Sequence, residues 1–167
     1  MITGQVGIVP ATNNFGSWIV VWVTRSSYTH VVVAVNEHVC LSLEPGREGG
    51  RLRPVTDYPN VVWSRFRYTP RQRRAMVVYA RNRAGEPYGW FDYLITGVML
   101  VLRRPLPRWA RKHISRNGRT VCSQMAYQAL KASGVRLPDG GFEPSAAVAT
   151  PGDFGRYYVQ QGWATEP

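Results

Sequence analysis

The sequence predicts an α+β fold in which an antiparallel sheet packs against helices. Three observations predict it: strand signals fill the N-terminal part, helix start signals appear only from Thr69 onward, and two apolar arms form a hairpin around residues 36–38. Strands followed by helices are typical of an α+β plan rather than of alternating βαβ units. The 167 residues suit one domain, so we treat residues 1–167 as a single unit.

The strand signals are runs of β-branched and aromatic residues, which favour the extended backbone. They predict strands at residues 5–9, 18–24, 30–36, 39–44, 51–55 and 61–66. Gly46, Gly49 and Gly50 mark a loop between two of these runs.

The helix signals are capping residues followed by proline. Thr69, Pro70 and Gln72 form a capping box with proline at the first helical position, which predicts a helix from residue 70 to about 84. Thr150 and Pro151 repeat this signal for a terminal helix that ends near residue 162. Further helices are predicted at residues 90–102, 108–115 and 121–133, the last closed by glycine at 134.

The chain is strongly basic, and the excess lies in one segment. The net charge is +11, and residues 65–119 hold fourteen basic against two acidic side chains. This imbalance predicts a continuous positive surface near the active-site mouth that recruits an anionic partner. A merely solvated helix face is the alternative. No recognition motif accompanies the arginines, so we expect no specific nucleic-acid partner.

Composition excludes several classes of protein. Two cysteines are too few for a disulfide-rich scaffold or a zinc site of CxxC pairs. Residues 1–10 lack a signal-peptide pattern, which predicts a cytoplasmic or virion-associated protein. The most apolar run, at residues 93–102, is half of the roughly twenty residues that a transmembrane helix needs. We therefore expect no transmembrane segment.

The hairpin register follows from its apolar pattern. Each arm has one apolar face, made by Val31, Val33 and Val35 in the first arm and by Val39, Leu41 and Leu43 in the second. The two faces match if Val35 pairs with Val39, because opposed residues of an antiparallel pair point to the same side. His30 then lies opposite Glu44, on the other face. A carboxylate there fixes the imidazole tautomer, as a catalytic base requires; a structural His–Glu pair is the alternative.

Cys122 follows a polar stretch and opens an apolar helix. The helix dipole and the amide donors at such a position favour a thiolate and can bind an oxyanion. Ala34, Cys40 and Ser42 make the other face of the hairpin small-chained, so we expect the helix to pack there and bring Cys122 to His30. The alternative is a buried cysteine that serves as a small hydrophobe.

Cys40 lies in the middle of a predicted strand and is expected in the core. A Cys40–Cys122 disulfide has little support without a secretion signal. A metal held by His38 and Cys40 lacks a third ligand, so we expect no metal or other cofactor.

Six short motifs occur in order along residues 4–132. They are Gln5-Val6-Gly7-Ile8-Val9, Gly16-Ser17-Trp18-Ile19, Ser27-Tyr28-Thr29-His30-Val31, Leu43-Glu44-Pro45-Gly46, Gly85-Glu86-Pro87-Tyr88-Gly89-Trp90-Phe91-Asp92 and Val121-Cys122-Ser123-Gln124-Met125. Together they resemble the permuted NlpC-type, papain-like cysteine amidases, whose short members occur in tailed phages and actinobacteria. The chain departs from that pattern in having Val6 where the family has aspartate, and Thr29 where serine is commoner.

The resemblance implies a papain-like sheet with the nucleophile helix packed on it, permuted so that histidine precedes cysteine. It implies that Cys122 is the nucleophile, His30 the general base and Glu44 the residue that orients His30. Substrate or oxyanion contacts are implied for Tyr88, Tyr28 and Ser123. The implied activity is hydrolysis of amide bonds in cell-wall peptides, an anionic substrate that suits a basic chain.

Two alternatives remain open. Relatives of this permuted group transfer or hydrolyse lipid acyl groups, and the apolar run at residues 93–102 followed by Arg103 and Arg104 would suit a lipid substrate. The second alternative is a non-catalytic basic protein associated with a virion or with the cell wall.

Overall fold

The centre of the fold is an antiparallel five-stranded sheet with strand order β4-β3-β2-β1-β5. The structure, a computed structural model, describes residues 1–12, 21–22, 26–44, 49–87, 121–135 and 149–165. The strands are β1 (Val6–Pro10), β2 (Tyr28–Ala34), β3 (Val39–Leu43), β4 (Gly50–Pro54) and β5 (Val62–Trp63). A short 3-10 helix (Val55–Asp57) follows β4.

The predicted register of the β2–β3 hairpin is confirmed. Val32 lies opposite Ser42, and the amide of Val35 donates to the carbonyl of Val39 at 2.8 Å. Asn36 closes the turn, because its Oδ1 accepts from the amides of His38 and Val39 at 2.8 and 2.7 Å. His30, Ser42 and Glu44 are therefore on one face of the sheet.

The described residues form three α-helices: α1 (Pro70–Asn82), α2 (Cys122–Ala132) and α3 (Pro151–Gln160). The capping box predicted at Thr69 is present, and the cap predicted at Thr150 also forms a capping box, with Asp153. Gly134 and Gly162 follow α2 and α3 with φ of 67° and 66°, as helix-ending glycines do. The α+β class is therefore confirmed. The helices predicted at residues 90–102 and 108–115 lie outside the described residues.

All three helices pack on the valine face of the sheet, with β2 contacting each of them. The shared core contains large side chains from both layers, among them Val31, Val33, Leu41, Leu43, Met76, Met125, Phe154 and Tyr158. Cys122 belongs to the same cluster. The expectation that its helix covers the small-chained face is therefore wrong. Valine and leucine side chains offer more apolar area to an amphipathic helix than Ala34, Cys40 and Ser42 do.

A β-bulge in β2 separates Tyr28 from His30. Val9 of β1 pairs with His30 while Pro10 pairs with Tyr28, so Thr29 is an extra residue without a partner in β1. The bulge turns Tyr28 to the helix side, where its ring lies against α3 at Gly155. His30 keeps its place on the opposite face.

Two strand predictions from the sequence need correction. Val21 and Trp22, the described part of the stretch 18–24, are helical, and the predicted strand 61–66 is reduced to Val62–Trp63. The strand preference of β-branched and aromatic residues reflects how well their side chains pack on a half-buried sheet surface. Where no such surface is available, these residues adopt another conformation. No helix in the described part of the chain combines the length and hydropathy needed to cross a membrane.

Replacing Gly155 by alanine tests the close approach of α3 to β2. In an exposed helix interior, alanine is more stable than glycine by about 1 kcal/mol. Here a Cβ would lie 2.5 Å from Cδ2 of Tyr28 and 3.1 Å from Oγ of Ser26. We expect Gly155→Ala to lower the free energy of unfolding by about 1–3 kcal/mol in urea denaturation. In a Tyr28→Ala background, Gly155→Ala should leave the free energy of unfolding unchanged or raise it. An equal loss of stability in both backgrounds would show that the new Cβ does not clash with Tyr28.

Candidate active site

His30 is held by a network of polar side chains on its face of the sheet. Its Nε2 lies 2.7 Å from Oγ of Ser42. The Ser42 hydroxyl donates to Oε1 of Glu44 at 3.0 Å, and the hydroxyl of Tyr58 lies 2.6 Å from the same carboxylate oxygen. Glu44 therefore reaches His30 through Ser42 and does not bond to it directly.

Arg53 anchors the carboxylate from the neighbouring strand. Its Nη2 donates to Oε2 of Glu44 at 2.9 Å, and its Nη1 lies 3.8 Å from Asp57. Burial by itself raises the pKa of Glu44, but hydrogen bonds from Tyr58 and Ser42, with the positive charge of Arg53, outweigh burial and lower it. Glu44 is therefore ionised at neutral pH.

The imidazole of His30 is neutral at physiological pH. Burial lowers its pKa to about 4; the charge of Glu44 opposes this shift, and that of Arg53 adds to it. The ring of Tyr58 lies 6.0 Å from the imidazole, centroid to centroid, and contributes to this burial. A neutral imidazole has one protonated nitrogen and one basic nitrogen, which is the form a general base requires.

Cys122 occupies the first position of α2 and is only 5% exposed. Burial raises the pKa of its thiol to about 11, while backbone amides of Val31, Ser123 and Cys122 itself act in the opposite direction. The expected effect of the amides at the helix start is therefore present, but burial outweighs it and keeps the thiol protonated at neutral pH. A helix dipole contributes about 0.3–1 kcal/mol, whereas full burial can shift a pKa by several units.

The thiol and the imidazole approach β2 from different sides. Cys122 lies in the helix-side core beside the amide of Val31, and His30 projects from the other face toward Ser42. In the described part of the structure, no hydrogen bond joins Cys122 to His30. The amide near the thiol therefore belongs to the residue that follows His30 in β2.

Cys40 is fully buried, and burial, followed by the charge of Asp57, raises the pKa of its thiol to about 12. Its Sγ contacts the carbonyl of Arg53 at 3.7 Å. Both cysteines are free thiols. Cys40 is therefore a core residue, as the sequence indicated.

The structure does not bring the remaining predicted site residues to His30. The Tyr28 hydroxyl donates to the carbonyl of Thr165 at 3.2 Å, within the helix-side core. The Ser123 hydroxyl donates to the carbonyl of Ala149 at 2.6 Å, which leaves only its backbone amide near the thiol. Tyr88 lies outside the described residues.

Sequence reasoning missed the roles of Ser42, Tyr58 and Arg53. Ser42 carried a usable signal, because the register puts it diagonally across from His30, within reach of a long side chain. Arg53 carried one too, since β4 pairs it with Cys40 on the same face. Tyr58 had none, because its position depends on the 3-10 turn after β4.

The basic segment is described from residue 65 to residue 87. Along α1, Arg71, Arg74, Val78 and Arg81 are exposed, and their spacing of three and four residues places them on one helix face. None of these three arginines forms an ion pair within the described ranges. The described part of the segment therefore presents an uncompensated positive stripe on a helix that packs against α2.

No protein-family model matches the chain, and no curated protein matches its sequence.

Acidification should destabilise the fold through His30. The unfolded side chain has a pKa near 6.5, and burial lowers the folded value to about 4. Between these values the unfolded chain binds a proton that the folded chain does not, so the free energy of unfolding falls as the pH is lowered through this window. The loss reaches about 3 kcal/mol at pH 4, from 1.36 kcal/mol per pKa unit.

Urea denaturation between pH 7 and pH 4 measures this loss. His30→Gln should remove most of the dependence above pH 4.5, whereas His38→Gln, at an exposed position, should retain it. The lowered pKa of Glu44 adds a further loss at lower pH, which both variants keep. Equal pH dependence in the two variants would contradict a partly buried, neutral His30.

Proposed function

We propose that this protein is a cysteine hydrolase with a permuted NlpC-type, papain-like fold, formed as one domain by residues 1–167. Cys122 is the nucleophile, His30 the general base and Glu44 the residue that orients the imidazole. The observation that carries this proposal is the placement of the thiol beside the amide of Val31, one residue along β2 from a histidine tied to a carboxylate.

The reaction begins with a neutral pair. With a thiol pKa of about 11 and an imidazole pKa of about 4, neither group is charged near pH 7. The imidazole of His30 accepts the thiol proton as Sγ bonds to the carbonyl carbon of an amide. It then donates that proton to the leaving amine, and water, deprotonated by the same imidazole, releases the acyl group as an acid.

The start of α2 supplies donors for the developing oxyanion. Val121 is the N-cap residue and carries no side-chain acceptor, so it does not cap the first turn. The amides of Cys122 and Ser123 already lie near the sulfur and lower its pKa. Backbone donors held at this position can bind the negative oxygen that forms when the thiol attacks.

The proposal requires the imidazole to meet the thiol when substrate binds. Hydrogen bonds between catalytic groups are often long in a free enzyme and shorten in its complex. The same thiol chemistry would serve a lipid thioesterase or acyltransferase. We favour amide hydrolysis because the six sequence motifs resemble those of cysteine amidases. The apolar run at residues 93–102 lies outside the described residues.

Iodoacetamide should modify Cys122 before Cys40. The charge of Asp57 adds to burial in raising the pKa of the Cys40 thiol, whereas three backbone amides oppose burial at Cys122, so Cys122 has the larger thiolate fraction at a given pH. Cys122 is also slightly exposed, at 5% against 0% for Cys40. Peptide mapping after limited alkylation of the native protein measures the order, and preferential modification of Cys40 would overturn the assignment.

The same two cysteines test catalysis directly. Cys122→Ser should abolish release of new amino groups from isolated cell-wall peptides, and Cys40→Ser should retain it. Loss of activity in both variants with intact folding, or in neither, would contradict Cys122 as nucleophile. Reactive Cys122 without turnover on any amide or acyl ester would favour the non-catalytic alternative.

We also propose that the positive stripe of α1, formed by Arg71, Arg74 and Arg81, draws the protein to an anionic partner, the cell wall in the first instance. The three guanidinium groups have no acidic neighbour to neutralise them in the described structure, so their field extends into solvent. The stripe lies on the helix that packs against α2, whose first residue is Cys122.

Binding to isolated cell wall should fall steeply between low salt and about 1 M salt, where the Debye length shortens to about 3 Å. Arg74→Gln with Arg81→Gln should weaken it. A control that removes Arg83 and Arg156 changes the net charge equally, but those two arginines are paired with Glu86 and Asp153. Equal weakening by the two double variants, or binding that salt does not change, would contradict recruitment by this stripe.

A further inference from the structure

Two hydroxyl groups stand between the imidazole of His30 and the carboxylate of Glu44. Ser42 Oγ lies 2.7 Å from Nε2 of His30 and 3.0 Å from Oε1 of Glu44. The Tyr58 hydroxyl lies 2.8 Å from the same Ser42 oxygen and 2.6 Å from Oε1 of Glu44. Neither hydroxyl belongs to the three residues that the proposed function uses, yet both contact its orienting carboxylate.

The donors and acceptors in this cluster can be assigned by counting protons. Glu44 is ionised and accepts only, and each hydroxyl has one proton to give. Tyr58 gives its proton to the nearer acceptor, Glu44, and Ser42 also donates to Glu44. The lone pairs of Ser42 Oγ then accept, and the remaining neighbour at hydrogen-bond distance is Nε2 of His30. This assignment places the proton on Nε2.

We infer that Ser42 and Tyr58 are positioning residues, which transmit the orienting effect of Glu44 to His30 and hold the imidazole with Nε2 protonated and Nδ1 basic. The value of this arrangement to catalysis rests on the proposed function of His30 as general base. The tautomer itself, and its dependence on the two hydroxyls, do not depend on the proposed function.

Burial makes the relay selective. Ser42 is 1% exposed, so its hydroxyl has no water to exchange for a lost partner. A protonated Nδ1 would leave Nε2 and Ser42 Oγ facing each other as two acceptors, unless Ser42 turned its proton away from Glu44. That turn would give up the hydrogen bond from Ser42 to the charged carboxylate, so the network favours the tautomer with Nε2 protonated.

Tyr58 holds the relay in place through two hydrogen-bond contacts. Tyr58 follows the 3-10 helix after β4. Its hydroxyl contacts both Oγ of Ser42 and Oε1 of Glu44, the two atoms of the Ser42–Glu44 hydrogen bond. Arg53 holds the second carboxylate oxygen of Glu44. Within the described residues, the charged or titratable groups that bear on the imidazole are therefore Glu44 from the end of β3, Arg53 from β4 and Tyr58 from the following turn.

Nitrogen-15 NMR of the imidazole tests the tautomer without any substrate. Wild-type protein at pH 7 should show a protonated Nε2 and an unprotonated Nδ1 for His30. In Ser42→Ala the two nitrogen shifts should move toward each other as the tautomers mix, and Ser42→Thr, which keeps a hydroxyl, should restore them. Tyr58→Phe, which removes one oxygen atom, should shift them in the same direction as Ser42→Ala.

A matched control is available in Tyr79. Its hydroxyl donates to Oε1 of Gln128 at 2.8 Å, between α1 and α2. Tyr79→Phe removes one tyrosine hydrogen bond outside the His30 network and should leave the His30 nitrogen shifts unchanged. Unchanged shifts in folded Ser42→Ala and Tyr58→Phe, or equal changes in Tyr79→Phe, would overturn the inference.

A double-mutant cycle tests transmission from Glu44. The reporter is acylation of Cys122 by 4-nitrophenyl acetate, followed as nitrophenolate release over a Cys122→Ala background. Ser42→Ala and Glu44→Gln should each slow acylation by at least about tenfold, part of the roughly 10²–10⁴-fold effect of a general base. The double variant should fall within about twofold of the slower single variant, because both changes break one relay.

The outcomes separate the relay from the proposed function. Independent, multiplying effects of Ser42→Ala and Glu44→Gln would overturn transmission through Ser42. If wild-type protein releases no more nitrophenolate than Cys122→Ala, the proposed function fails. The NMR shifts then still decide the tautomer, because they depend on the hydroxyls and not on Cys122.

Discussion

The pairing of β2 with β3 decides the chemical character of each face of the sheet. With Val32 opposite Ser42 and Val33 opposite Leu41, every second residue of both strands faces the same way. A slip of one residue would move His30 into the helix-side core and the valines onto the polar face. Burial of Val31, Val33, Leu41 and Leu43 under three helices opposes that slip, so hydrophobic packing on one side fixes the polar network on the other.

The proposed nucleophile and the proposed base are positioned by different parts of the structure on the two sides of the sheet. Cys122 is positioned by α2 and the helix-side core, whereas His30 is positioned by strands and by the turn that carries Tyr58. The amide of Val31 connects the two halves, because it lies in the same strand as His30 and near the sulfur. Small movements of α2 along β2 would therefore change the distance between thiol and imidazole without disturbing the His30 network.

Much of this fold could be predicted from local signals. The hairpin register follows from alternating apolar residues, and the starts of α1 and α3 follow from Thr69 and Thr150, because each signal involves residues close in sequence. The face that α2 covers could not be predicted in this way. Val32, Ala34 and Cys40 are as fully buried as Val31 and Val33. Because both faces of the hairpin are buried, the alternation of side chains does not indicate which face the helix covers. The pKa of Cys122 was misjudged for a related reason, since the helix dipole is visible in sequence and the depth of burial is not.

Glu44 shows how the outer strand of the sheet controls the candidate site. The ionised carboxylate is partly exposed, and Arg53 and the hydroxyls of Ser42 and Tyr58 hold it in place. Arg53 can do so because β4 pairs it with Cys40, on the face that His30 occupies. The chain then turns through the 3-10 helix, where Asp57 lies 3.8 Å from Arg53, and returns Tyr58 to the carboxylate. The guanidinium group thus lies between two acidic side chains, and it couples the geometry of the turn to the charge that acts on His30. The imidazole environment is consequently a property of β3, β4 and their following turn, so substitutions there should act on the base while leaving the thiol and its helix in place.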